Sequence, residues 1–255
     1  MATRFPLLKL PNLPFDEIVK SLDLWDLIAR KQNNEWIIRN QEFILDEWKL
    51  VMDHLLNTFE VSINLEIVGE RHLFEFLTGH PTMPKIAELT VNSDFVDDVD
   101  MKFYLENSYT DELCFLSNRN KTFRFNGNFG RFKAFTCYPA EWITGENLLS
   151  LDCESIDLGK TSLTNDDINM WLEKWIDGKS SNLRELRVEI EKIKLTEIMD
   201  GIEVVRKAGI REQNNLNFHV APRPYILNRD GLKGFFTNTE ITFNFDVSLE
   251  DDDNH

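Results

Sequence analysis

The chain has 255 residues, 42% of them hydrophobic, which suffices for a sizeable core and argues against wholesale disorder. Lys and Arg total 28 against 44 Asp and Glu, a net charge of −16 that repels a phosphate backbone and argues against nucleic acid as a partner. Cys114, Cys137 and Cys153 are odd in number and widely spaced without a CxxC pair, which argues against a disulfide framework and structural zinc.

Residues 5–28 carry an excess of apolar groups, too many for a surface and too few for a core. Pro11 and Pro14 break the first apolar stretch, and Pro14 suits the first turn of a helix. Phe15, Ile18, Val19 and Leu22 then fall on one helical face. Asp23 is placed to cap a second helix bearing Leu24, Leu27 and Ile28. The polar stretch Arg30 to Glu35 reads as a linker or a helix end. From Glu42 to Leu56 an amphipathic pattern returns. Val61, Ile63, Leu65 and Ile67 alternate as in a strand, and His72 to Leu77 reads as a short helix.

A rhythm follows. Short apolar runs open at Leu89, Leu113, Phe135, Ile156 and Leu186, in steps of 21 to 30 residues. Asp97 and Asp98 are placed to begin a helix and complement its dipole. The clearest helix is Asp166 to Ile176, with Ile168, Trp171, Leu172, Trp175 and Ile176 on one face. Thr164 and Asp167 predict a capping box at its start, and Gly178 a stop. Strand–helix units at this spacing predict an α/β fold, a leucine-rich-repeat-like stack whose neighbours share a core. An ordinary α/β domain with parallel strands is the alternative. Glu197 to Lys207 reads as a helix. Leu216–Val220 and Ile241–Val247 alternate with period two, separated by Pro222, Pro224, Gly231 and Gly234, and predict a terminal β element.

No catalytic motif is present: GxSxG, HExxH, GxxxxGK[ST] and GxGxxG are all missing. Asn126-Gly127-Asn128-Phe129-Gly130 reads as a tight turn between aromatic strands. Asp97, Asp98 and Asp100 lack the spacing of a calcium loop. The three cysteines read as buried, unreactive thiols. Phe123, Phe125, Phe129, Phe132 and Phe135, interleaved with Arg124, Arg131 and Lys133, imitate a base-stacking surface on paper, but read as core. No cofactor, metal or catalysis is expected. No apolar run is long enough to span a membrane and the start is unlike a signal peptide, so cytoplasm, nucleus or both is expected, not secretion.

The opening segment resembles an F-box of the nematode variety that begins Phe5-Pro6-Leu7-Leu8, continuing through Leu10-Pro11, Leu13-Pro14, Glu17-Ile18, Leu22-Asp23 and Leu24-x2-Leu27. Downstream, the chain is similar to the type 2 F-box-associated domain. The carrying residues are Phe123 to Phe129, Trp142-Ile143-Thr144, Leu148 to Cys153, Leu163-Thr164-Asn165, Ile168-Asn169, Leu172, Lys174-Trp175, Asn182-Leu183, Leu186 and Gly201 to Arg206. The resemblance implies an F-box at residues 1–40, an F-box-associated domain at 41–247 and an acidic tail at 248–255. It implies a non-catalytic, substrate-recognition subunit of a Skp–cullin–F-box ubiquitin ligase. The Skp-type adaptor would be bound by Pro6, Leu7, Leu8, Leu10, Pro11, Leu13, Pro14, Ile18, Leu22, Leu24 and Leu27, and an unknown protein substrate by the second domain. The sequence departs from the family at the third F-box helix, where Ala29 to Trp36 is polar and short. A ligase-independent interaction module with a degenerate F-box is the alternative.

Overall fold

The computed structural model describes residues 28–32, 35–39, 62–68, 74–75, 79, 85–92, 96–116, 122–129, 132–179, 182–205 and 224–248. Alternation of large apolar with polar residues builds its sheet, since successive strand side chains point to opposite faces. In chain order the strands are β1 (Ile28–Gln32), β2 (Glu35–Arg39), β3 (Ser62–Val68), β4 (Lys85–Asn92), β5 (Glu112–Leu116) and β6 (Ala134–Tyr138). They continue as β7 (Ser155–Leu158), β8 (Glu185–Glu189), β9 (Tyr225–Leu227), β10 (Lys233–Asn238) and β11 (Thr242–Ser248). All belong to one sheet, ordered β1-β2-β3-β4-β5-β6-β7-β8-β11-β10-β9. From β2 to β8 each strand lies parallel to the next in sequence. The two ends are antiparallel: β1 pairs with β2, and β11 pairs with β8 and β10.

Parallel strands need crossovers, and among the described residues helices supply three of the six. Helix α1 (Asp98–Asn107) links β4 to β5, α2 (Gly145–Ser150) links β6 to β7, and α3 (Asn165–Ile176) links β7 to β8. The short α4 (Leu195–Ile198) follows β8. A repeated hydrogen-bond pattern starts the central strands. The Asp111 carbonyl accepts from Lys133 and Ala134 N–H, that of Lys133 from Glu154 and Ser155, and that of Glu154 from Arg184 and Glu185. Each crossover is thus sewn to its neighbour before the strand begins, which fixes the register.

The core lies between the sheet and its helices. One buried row runs Leu89, Leu113, Phe135, Ile156, Leu186, Phe245 and Phe236 across paired positions of six neighbouring strands and β10. A second runs Val91, Phe115, Cys137, Leu158, Val188 and Phe243. Trp171 and Trp175 of α3 meet Phe245 edge-on at centroid distances of 5.5 and 4.9 Å, joining the helical layer to β11. Each such contact adds about 0.5–1.5 kcal/mol beyond area burial.

The five expected apolar runs all fall within strands, and α3 has the expected capping box and a left-handed Gly178 (φ 74°) at its stop. Asp97 caps α1, accepting from the Asp100 N–H at 2.8 Å. Other expectations are corrected. Of the stretch read as a linker, Arg30 to Gln32 belong to β1 with Ile28 before them, and Glu35 opens β2; Trp36, Ile37 and Ile38 are strong strand formers, and pairing of β2 with β3 outweighs the weak helical pattern. Of the helix expected over 197–207, only Glu197 and Ile198 are helical among the described residues, in α4, after which the chain turns at Gly201 and Val205 bridges to Tyr225. Residues 122–129 are irregular, not strands flanking a turn. Phe123 and Phe125 are buried there nonetheless, edge-on to Trp142. Gly234, read as a separator, sits inside β10. The helices expected before residue 28, the patterns at 42–56 and 216–220, and most of 72–77 lie outside the described residues; of the last, Phe74 and Glu75 are helical.

Candidate functional site

The middle residues of the apolar runs point away from the core. Thr90, Cys114, Thr136, Asp157, Arg187 and Asn244 occupy paired positions on consecutive neighbouring strands, β4 to β8 and then β11. All six are only partly buried, whereas the residues on either side of each on its strand are fully buried. The result is a sheet face with a dry side under the helices and a polar side bearing a row of side chains about 4.8 Å apart.

One cluster dominates this face. The Tyr138 hydroxyl donates to Asp157 Oδ1 at 2.5 Å, Arg187 lies 3.7 Å from Asp157 Oδ2, and Arg187 also reaches Glu189 at 3.1 Å. Burial, and then the bond to Asp157, hold the Tyr138 hydroxyl well above its ordinary pKa, so it stays a donor. Gly159 is what lets the ring lie there: a Cβ at that position would enter the ring of Tyr138.

The thiols are not activated, because burial outweighs the opposing effect of Thr90 on Cys114 and of Trp142 on Cys137. Burial, followed by the charge of Glu88, pushes Cys114 up to about 11. Burial pushes Cys153 up to about 12 and Cys137 higher still. A nucleophilic cysteine needs the reverse shift. The chemistry this face offers is recognition: hydrogen bonds from Thr, Tyr and Asn, and ion pairs.

A second row runs Glu88, Glu112, Ala134, Ser155, Glu185 and Asp246. Like charges stand directly opposite each other at both of its ends. Cations at the strand starts are engaged elsewhere: Lys133 with Asp111 at 3.2 Å and Arg184 with Glu154 at 3.8 Å.

The expected adaptor-binding residues, Pro6, Leu7, Leu8, Leu10, Pro11, Leu13, Pro14, Ile18, Leu22, Leu24 and Leu27, lie outside the described residues. Sequence reading missed the open face. The signal was present as the single polar residue inside each apolar run, but only strand pairing shows that these residues form a row. The phenylalanines that imitate a stacking surface do not reach it, as Phe123, Phe125, Phe132 and Phe135 are core.

The family comparison falls on part of this same region. Residues 124–188, from the irregular aromatic segment through β8, match the family described as F-box associated. The chain is also similar to the Skn-1 dependent zygotic transcript 15 protein of Caenorhabditis elegans, 28% identical over 171 residues. That alignment covers 63% of this chain and 50% of the relative, so the chain spans about half the length of the curated relative it matches. No solved structure matches. No helix among the described residues is long and apolar enough to cross a membrane.

Proposed function

We propose that this chain is the substrate-recognition subunit of a Skp–cullin–F-box type ubiquitin ligase, and that it is not itself catalytic. The observation that carries this reading is the match of residues 124–188 to the F-box associated family, on the segment that supplies β6, β7 and β8 of the open face. The similarity to a nematode protein agrees with it. On this reading the run of sequential parallel strands is a leucine-rich-repeat-like stack, closed at one side by the antiparallel β11, β10 and β9, and a protein substrate docks on the stack. Residues 1–40 would hold the Skp-type adaptor on the apolar ridge of Leu7, Leu8, Leu10, Leu13, Ile18 and Leu22, in the manner of an interface core. Residues 41–247 would be the receptor and 248–255 a solvated acidic tail. Such an assembly works in the cytoplasm, the nucleus or both.

Binding to the purified adaptor tests the reading. The full chain should retain the adaptor at micromolar concentration, and Leu10→Asp with Leu13→Asp should abolish retention while the thermal melt stays unchanged. Undiminished retention by the folded double variant would rule out an F-box contact. One observation favours a second reading, a ligase-independent interaction module with a degenerate F-box: β1 and β2 occupy the stretch where a third F-box helix would run. Failure of the intact chain to bind adaptor, with the domain folded, would select it.

A further inference from the structure

From the open face we infer that the partner segment it takes is a basic, extended peptide whose cations come in two groups. This deepens the substrate-receptor reading and rests on it. The face is unevenly charged. Glu88 faces Glu112 on the adjacent strand, and Glu185 faces Asp246. Like charges directly opposite in a sheet are destabilising, so each pair costs the free protein stability that a bound cation would restore. Neither pair is matched by a cation among the described residues. Among the described residues no lysine or arginine reaches Glu112, Glu185 or Asp246, and Glu88 only accepts from the Thr90 hydroxyl at 3.3 Å. Arg187, on the next row, is already held between Asp157 and Glu189. Between the two acidic pairs lie the small residues Ala134 and Ser155, leaving room for a chain to cross. From Glu112 to Glu185 is three strand spacings, about 14 Å, or roughly four residues of extended chain. The negative field is already felt on the face, where Glu88, Asp157 and Glu112 all oppose ionisation of Cys114.

The test uses the full chain and fluorescein-labelled peptides read by anisotropy. Lys-Arg-Ser-Gly-Ser-Lys-Arg matches the spacing, and Lys-Arg-Lys-Arg-Ser-Gly-Ser has the same composition with its cations together. The spaced peptide should bind several-fold tighter, and added salt should weaken it. Glu112→Lys with Glu185→Lys should weaken it about tenfold or more, whereas Glu146→Lys with Glu173→Lys, equal in charge change and exposed on the helical layer, should leave it within about twofold. If the charge reversals do not fold, Glu112→Gln with Glu185→Gln replaces them, with a loss of about threefold expected. Absence of binding, equal affinity for the two peptides, or equal loss in the control pair overturns the inference. So does a homodimer of the free chain that the reversal dissociates, since the face would then serve a second copy. Adaptor retention is scored separately: if it persists while peptide binding fails, the occupant alone is wrong, and if it fails while peptide binding persists, the ligase role alone is wrong.

Discussion

At the scale of the residue, the informative groups are those forced away from their ordinary ionisation. Cys137 and Cys153 are buried, and burial outweighs the opposing effect of Trp142 on Cys137, so folding keeps both protonated. In the unfolded chain each ionises from its ordinary 9.0. The folded values are raised, so the native state binds more protons at alkaline pH and stability must fall there. The contribution is complete below about pH 9 and declines by roughly 1.4 kcal/mol per pH unit per thiol as pH rises toward the folded values. Urea midpoints between about pH 8 and pH 10.5 should therefore fall less steeply for Cys153→Ala than for the parent chain; an unchanged slope would remove the thiol from the argument. A thiol reagent at neutral pH should label Cys137 and Cys153 only after denaturant is added. Gly159→Ala acts on the open face instead, displacing the Tyr138 ring from Asp157. It should cost about 1–3 kcal/mol in a urea titration, as overpacking does. Tyr138→Phe should remove the hydrogen bond at a smaller cost, near 1 kcal/mol.

At the scale of the element, α3 shows how local and tertiary forces combine. Thr164 and Asp167 satisfy the exposed N–H groups at its start, with Thr164 N donating to Asp167 Oδ2 at 2.8 Å. Thr164→Ala should cost about 1 kcal/mol, measurable as a lowered thermal midpoint. The exposed end of this helix depends on the cap, while its buried face, Ile168, Trp171, Leu172 and Trp175, depends on the sheet. Trp175→Ala should therefore cost more, about 3–5 kcal/mol, because it also removes one of the two tryptophan rings packed on Phe245 of β11. The strands offer the opposite sign. Glu185→Lys replaces a like-charge pair across β8 and β11 with an attractive one. It should stabilise the free chain by roughly 0.2–1 kcal/mol while weakening the basic peptide. A gain in stability bought with lost binding is the signature expected of a functional face.

At the scale of the whole molecule, a net charge of −16 makes repulsion a global term. Salt should screen it, so the thermal midpoint should rise between low and physiological ionic strength. A flat response would mean that the described ion pairs already balance the field. Much of the fold was legible because its signals are local. Short apolar runs at Leu89, Leu113, Phe135, Ile156 and Leu186 mark strands, and the spacing of Ile168, Trp171, Leu172 and Trp175 marks a helix whose capping pair lies three residues apart. Trp36, Ile37 and Ile38 were missed because a strand this short is decided by its neighbours, here β1 and β3. Phe123 and Phe125 were misread as strand because burial of aromatic rings needs no regular backbone. The open face was invisible for a related reason. Thr90, Cys114, Thr136, Asp157 and Arg187 are each an ordinary polar residue between apolar ones, and become a row only when five strands align in register. The sequence by itself determined the central strands from β4 to β8 and helix α3, and which side of each is apolar, since those patterns repeat within a few residues. Only the tertiary structure decided which strands meet and in what register, and so which charges stand opposite one another, because pairing depends on contacts between residues tens of positions apart.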